Sequence, residues 1–269
     1  MVKRNFVEIL REVCVKNGWK ISTLCDDWVV QITNTKSNKT IRVIGYSFPL
    51  NNQVASLSAN DKGLTSQILS NAKISNIQHE YIYSDELRQD LKLKHSLEDD
   101  VDGLLSKFSL PVVVKPSKGT QGRNVYLCNS KEEVLEKVKL ISSKEDVAVA
   151  PFEESEFEYR FYFLDDEVLL AYKKKRMGDW RHNLSSGAVP EILDKEESSK
   201  MLSLVIGTRR ELGLRCGAVD LFETKGGLKV LEVNNGVSLT HFAAVSEENY
   251  SKALEVYEKY LAASFAVLE

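Results

Sequence analysis

Cysteine and histidine are scarce and scattered in this chain. Cys14, Cys25, Cys128 and Cys216 form no Cys-x-x-Cys pair, and His79, His95, His182 and His241 stand apart from one another. Zinc spacing is therefore missing, a disulfide framework is not indicated, and the cysteines read as small, reduced core residues. No apolar run reaches the roughly 18 residues that a membrane span requires. The first ten residues alternate charged with apolar side chains and lack the apolar core of a signal peptide; a cytoplasmic protein is the expectation. A strong charge of one sign is also lacking. The net charge of -3 gives no general attraction to nucleic acid or to an anionic membrane, so neither is expected as a partner. No Gly-x-Ser-x-Gly elbow offers a nucleophilic serine, and no internal repeat or low-complexity tract is present.

What remains is an ordinary globular composition, 43% hydrophobic and 28% charged over 269 residues, enough chain for one multi-lobed domain or two. The spacing of Phe6, Ile9, Leu10, Val13 and Val15 predicts an amphipathic helix over 2–17, ended by Asn17-Gly18. Three short strands are expected at 19–24, 28–33 and 40–46, which makes the start of the chain a small α+β unit. Helical stretches follow Pro49, then a strand at 77–83 and a mostly helical segment over 85–108 with no clear break. From residue 111 onward, strands are expected at 111–115, 124–128, 147–152, 157–164 and 168–174, with helices at 131–141, 196–212 and 247–262. Strands alternating with helices in this way indicate α/β layers.

The clearest chemical statement lies in the apolar segments 216–222 and 228–233, joined by Gly226-Gly227 and read as a β-hairpin. With a three-residue loop, Lys225-Gly226-Gly227, Thr224 pairs with Leu228 and Asp220 falls opposite Glu232; a two-residue loop breaks that alignment. Asn234 lies on the same face as Glu232, while Val219, Leu221, Leu231 and Val233 point the other way into a core. Facing carboxylates repel unless a cation sits between them. Two carboxylates and an amide suit one or two magnesium ions, which prefer oxygen ligands and share their coordination with substrate phosphates. The plainer reading is a solvated sheet face with Asn234-Asn235-Gly236 as an ordinary turn.

A second segment, 115–123, is rich in glycine, hydroxyl and amide groups and carries Lys115 and Lys118. Glycine lets such a backbone approach phosphate oxygens and close as a lid. Gly122 is followed by Arg123-Asn124 and a further strand rather than by a helix, so a Walker A loop is excluded.

These parts occur in one order: Asp61-Lys62, Lys115, Gly119-Thr120-Gln121-Gly122, Glu158-Tyr159-Arg160, Lys173-Lys174-Lys175-Arg176, Gly178-Asp179-Trp180-Arg181-His182-Asn183-Leu184 with Gly187, Asp220, and Glu232-Val233-Asn234. In that order the chain resembles the ATP-grasp superfamily, and within it the RimK-like carboxylate-amine ligases, over about residues 60–262. The resemblance implies an ATP-grasp fold with a short cap at 1–58, a linking segment at 59–110, a small lobe with the glycine loop at 111–150 and a large lobe with the metal site at 151–269. It implies ATP and magnesium, or manganese in its place, as cofactors. Lys62, Lys115, Gly119, Thr120, Gln121 and Gly122 would contact the phosphates, Ala150 and Phe152 the adenine edge, and Glu158 the ribose. Arg176, Arg181, Asn183 and Lys173 would meet the transferring phosphoryl group, and Asp220, Glu232 and Asn234 the metal. Small-molecule or peptide carboxylates and amines are the implied substrates, and a homo-oligomer the implied assembly.

The chain departs from the family pattern in three places. Pro151 stands where many relatives have glutamate, Asn235-Gly236-Val237-Ser238-Leu239 lacks the usual proline after Asn234, and the cap is shorter than the usual leading domain. The implied reaction converts a carboxylate to an acyl phosphate, which an amine then attacks. Either Glu232→Gln or Asp220→Asn is expected to abolish it with the fold intact. A small-molecule kinase and a nucleotide-binding regulatory protein are the alternatives.

Overall fold

A computed structural model describes residues 5–119, 122–175 and 189–268. Helix α1 (Phe6–Asn17) ends where the sequence reading places it but begins at Phe6 rather than at residue 2. Asn5 and Glu8 form a reciprocal capping box, and Gly18 ends the helix in the left-handed region at φ 66°. Its apolar face, Phe6, Ile9, Leu10 and Val13, is buried. The antiparallel meander β1 (Trp19–Leu24), β2 (Val29–Asn34), β3 (Lys39–Ile44) follows. Helices α2 (Gln53–Asn60) and α3 (Lys62–Asn71) come next, capped by Asn52 and Asp61.

The segment expected to run as helix over 85–108 is broken. Helix α4 (Asp85–Asp90) stops, Lys92 takes φ 52°, and Ser96 with Asp99 opens α5 (Leu97–Leu105) with its own capping box. That box is the signal the sequence reading missed. The stretch expected over 196–212 is likewise divided, into α7 (Lys195–Ser199) and α8 (Leu202–Glu211).

Two sheets build the body. The first has the order β4-β7-β5-β6, formed by β4 (Glu80–Ile82), β5 (Val112–Pro116), β6 (Tyr126–Cys128) and β7 (Val147–Pro151). Val101 and Leu104 of α5 and Val134, Val138 and Ile141 of α6 (Lys131–Ser142) pack onto it. The second has the order β10-β9-β8-β11-β12, from β8 (Phe157–Leu164), β9 (Glu167–Lys175), β10 (Pro190–Ile192), β11 (Cys216–Thr224) and β12 (Gly227–Asn234). One face buries Phe161, Phe163, Val219 and Val233 against α2, α3 and α8. The other buries Tyr162, Leu170 and Tyr172 against α9 (Thr240–Ala243), α10 (Glu247–Ala266) and the N-terminal unit. Each such side chain contributes roughly 1.5–3 kcal/mol by leaving water.

The N-terminal unit has no core of its own. Ile9, Leu10, Val30 and Ile32 share one cluster with Tyr257, Tyr260 and Leu261 of α10. Across that contact Lys16 Nζ lies 2.7 Å from Glu258. Cys14, Cys128 and Cys216 are buried as expected, but Cys25 is exposed, because 25–28 is a turn and Cys25 itself has φ 54°. Among the described residues no helix is long and apolar enough to cross a membrane.

Candidate active site

The β11–β12 hairpin reaches the expected alignment by an unexpected route. Thr224 pairs with Gly227, so the loop is the two residues Lys225-Gly226, and the register then runs to Leu221 opposite Val230. A β-bulge at Leu231 shifts the register by one, and Asp220 falls opposite Glu232 after all. The bulge also changes which side chains face inward. Val219, Leu221 and Val233 lie in the core as expected, but Val230 takes the place foreseen for Leu231, which lines a cleft instead.

Asp220, Glu232 and Asn234 converge on one face. Asn234 Nδ2 stands 3.3 Å from Asp220 Oδ2 and 3.3 Å from Glu232 Oε1. Gly217 permits this, since a Cβ there would lie 2.6 Å from the Asn234 carbonyl oxygen. Asp220 is fully buried, and its carboxylate accepts two hydrogen bonds from Arg160 of β8, the Nε contact at 2.5 Å. Arg160 pairs directly with Asp220 across the strands and also lies 3.9 Å from Glu232. Burial pushes the Asp220 carboxyl up to about 6, with the Arg160 guanidinium pulling the other way. Burial likewise opposes ionisation of Glu232, but Lys62, Lys115 and Arg160 prevail and hold it down to about 2. The sequence reading quoted Arg160 without a role; its two-residue spacing from Glu158 was the available signal.

Lys115 is buried on β5, and burial together with Lys62 lowers its ammonium to about 8, against the pull of Glu232 and Glu158. Lys62 opens α3, and its Nζ donates to the Gly119 carbonyl at 2.6 Å, tying the helix start to the glycine loop. His79 lies near both lysines. Burial and Lys115 keep its imidazole neutral, and its Nδ1 stands 2.8 Å from the Ile77 oxygen.

The basic run on β9 requires a correction. Strand alternation sends Lys174, not Lys173, into the cleft, where it is buried and ion-paired with Glu158. Lys173 points to the opposite face, 3.2 Å from both Glu191 and Glu197 and above the Phe157 ring. Lys174→Ala strands a buried Glu158 carboxylate and is expected to cost roughly 3 kcal/mol in a denaturant titration. Lys173→Ala breaks a partly exposed contact and is expected to cost about 1 kcal/mol or less.

Lys62, Lys115, Gly119, Gly122, Ala150, Phe152, Glu158, Glu232 and Asn234 all line one cleft of about 580 Å³ between the two sheets, with Arg160 and Lys174. The Phe152 N–H is already committed to the Pro111 carbonyl at 3.1 Å. Thr120, Gln121, Arg176, Arg181 and Asn183 lie outside the described residues. The two carboxylates suit a hard divalent cation; Asn234 turns its Nδ2 toward them here, and a flip of its amide would bring the oxygen to the same point. Asp220 already holds one cationic group, the Arg160 guanidinium.

Residues 59–256 match the RimK-like ATP-grasp domain. The chain is 29% identical over 166 residues to the tetrahydromethanopterin:alpha-L-glutamate ligase of Methanocaldococcus jannaschii, covering 58% of this chain and 56% of that protein. It is 27% identical over 199 residues to a probable alpha-L-glutamate ligase of Stutzerimonas stutzeri, covering 71% and 60%. The chain thus spans less than two thirds of the length of these relatives. Its fold is similar to that of the ATP complex of D-alanine–D-alanine ligase from Bacillus anthracis, with a TM-score of 0.61 at 19% identity over 83% of this chain and 71% of that one. A match over most of the chain, on the fold that ATP-grasp ligases share, means that the protein belongs to the RimK-like ATP-grasp family.

Proposed function

We propose that the chain is an ATP-dependent ligase that joins a carboxylate to an amine through an acyl phosphate. One observation carries the reading: Glu232 and Asn234 line the cleft that Lys62, Lys115, Arg160 and Lys174 also face, with Asp220 buried directly behind them against Arg160. A carboxylate is a poor electrophile because its charge is delocalised and oxide is a poor leaving group. Phosphorylation by ATP supplies the leaving group, and the protein's part is positioning and charge stabilisation.

Each described residue has a place in that chemistry. Lys62 and Lys115 neutralise phosphate oxygens, and Gly119 and Gly122 border them in the cleft, where exclusion of water would protect the acyl phosphate. Ala150 and Phe152 border the purine site, and Glu158 holds the ribose once Lys174 yields it. Asp220, Glu232 and Asn234 would hold magnesium or manganese, which offsets the charge gathering on the transferring phosphoryl group. Arg160 would be displaced from Asp220 and is placed to meet that phosphoryl group, with Arg176, Arg181 and Asn183 as further contacts. The role first given to Lys173 passes to Lys174. Because the relatives are named glutamate ligases, L-glutamate is the first amine to test.

The test is oxygen-18 in the carboxylate substrate. Ligation through an acyl phosphate moves one labelled oxygen into released phosphate, whereas a kinase leaves all of the label in the organic product. Unlabelled phosphate formed together with amide would overturn the mechanism.

A further inference from the structure

The face of the large sheet that lines the cleft changes chemistry step by step along the strands. Glu158, Lys174 and Phe222 form one row, and Arg160, Tyr172, Asp220 and Glu232 the next. One strand repeat further, about 6.6 Å on, Tyr162, Ala218 and the candidate metal ligand Asn234 share a row. Beyond it the wall is completed by Phe242 and by Phe6 and Tyr46 of the N-terminal unit. Tyr172 and Phe242 stack with ring centroids 4.9 Å apart, and Phe6 meets Tyr46 edge-on at 5.1 Å. Among the described residues, neither the N-terminal unit nor segment 236–242 gives this end an Asp, Glu, Lys or Arg; His241 lies exposed at its rim. Among the described lining residues, the Lys, Arg and Glu side chains line the nucleotide and metal portion of the cleft.

We propose that this aromatic end receives the apolar or aromatic body of the acid substrate, a monocarboxylate whose reacting carboxyl reaches back to the Arg160 and Asp220 row. The inference rests on the ligase reading above. Aromatic walls favour a flat or branched apolar body. A second carboxylate buried here would lose its water without gaining a cation from the described residues of this end. The short N-terminal unit thereby acquires a task, because Phe6 and Tyr46 form the substrate wall. Tyr46 is held there by the hydrogen bond from the Val237 N–H to its carbonyl, 2.8 Å long.

Hydroxylamine tests this without knowledge of the natural amine. The carboxylate oxygen attacks the γ-phosphorus and ADP leaves; hydroxylamine nitrogen then attacks the acyl carbon, releasing phosphate and a proton and leaving a hydroxamate. With the full chain, ATP and magnesium, aromatic and branched monocarboxylates are expected to give hydroxamate with kcat/KM at least about tenfold above matched dicarboxylates such as glutarate. Tyr46→Ala should raise KM for the aromatic acid about tenfold while leaving KM for ATP unchanged. Tyr46→Arg, at a partly exposed turn, should narrow or invert the preference. Preference for dicarboxylates in the wild type, or a preference that neither Tyr46 variant moves, overturns the inference and leaves the ligase reading standing. Hydroxamate from no acid at all overturns both.

Discussion

Glu232→Gln is expected to lower ligation by about a thousandfold, the scale of losing a group that stabilises the transferring phosphoryl charge, while the protein still melts cooperatively. The substitution removes one negative charge and keeps the side chain's shape, and the Glu232 side chain is 27% exposed rather than sealed in the core. Initial-rate assays with saturating ATP and circular dichroism of the same preparation read both quantities. Asp220→Asn should be as inactive but not as well folded. Asp220 is fully buried and holds Arg160 through two hydrogen bonds, so its loss strands a guanidinium, at a cost of roughly 3 kcal/mol. An intact fold is therefore expected of Glu232→Gln and not of Asp220→Asn.

Lys115→Met is expected to raise KM for ATP by about a hundredfold, because a charge-assisted contact to phosphate is lost. The wild type should show an alkaline limb that this variant lacks. Burial and Lys62 bring the Lys115 ammonium down to about 8, so above that pH the free enzyme loses the positive charge that meets the phosphates, and KM for ATP rises. Lys115→Arg keeps its charge and should move the limb upward. The stability effect runs the other way. The folded state releases this proton before the unfolded chain does, so the penalty of burying the charge is present below pH 8. Stability therefore rises with pH from about 8 toward the ordinary lysine range of about 10.4. A flat KM profile between pH 7 and 9.5 in the wild type would show that Lys115 does not meet the nucleotide.

Residues whose position follows from local pattern were legible in the sequence. Period-two alternation and the glycine turn placed Asp220, Glu232 and Asn234 on one face, and the same face emerges in the structure. The route there was not legible. The sequence reading needed a three-residue loop, and the chain uses a two-residue loop plus a bulge at Leu231, two departures that cancel. Nothing local in Val230-Leu231-Glu232 announces a bulge; there the Val230 backbone turns to segment 75–77, its N–H donating to the Ser75 oxygen and its oxygen accepting from the Ile77 N–H. Lys173 and Lys174 show the complementary failure. A run of like residues carries no phase, so only the register Glu158 opposite Lys174 reveals which lysine enters the cleft. Arg160 was hidden because its partner is sixty residues away in the chain. The role of the N-terminal unit was equally hidden, as Phe6 and Tyr46 acquire meaning only when α1 and the turn after β3 come to rest beside segment 236–242.

The most direct measurement is a crystal structure grown with manganese and a non-hydrolysable ATP analogue, with the metal located by its anomalous scattering. The account predicts a manganese peak about 2.1–2.2 Å from oxygens of Asp220, Glu232 and Asn234 and from the analogue's phosphates, with the Arg160 guanidinium released from Asp220. A nucleotide bound in the cleft with the Arg160–Asp220 pair intact and no metal at Glu232 would contradict it.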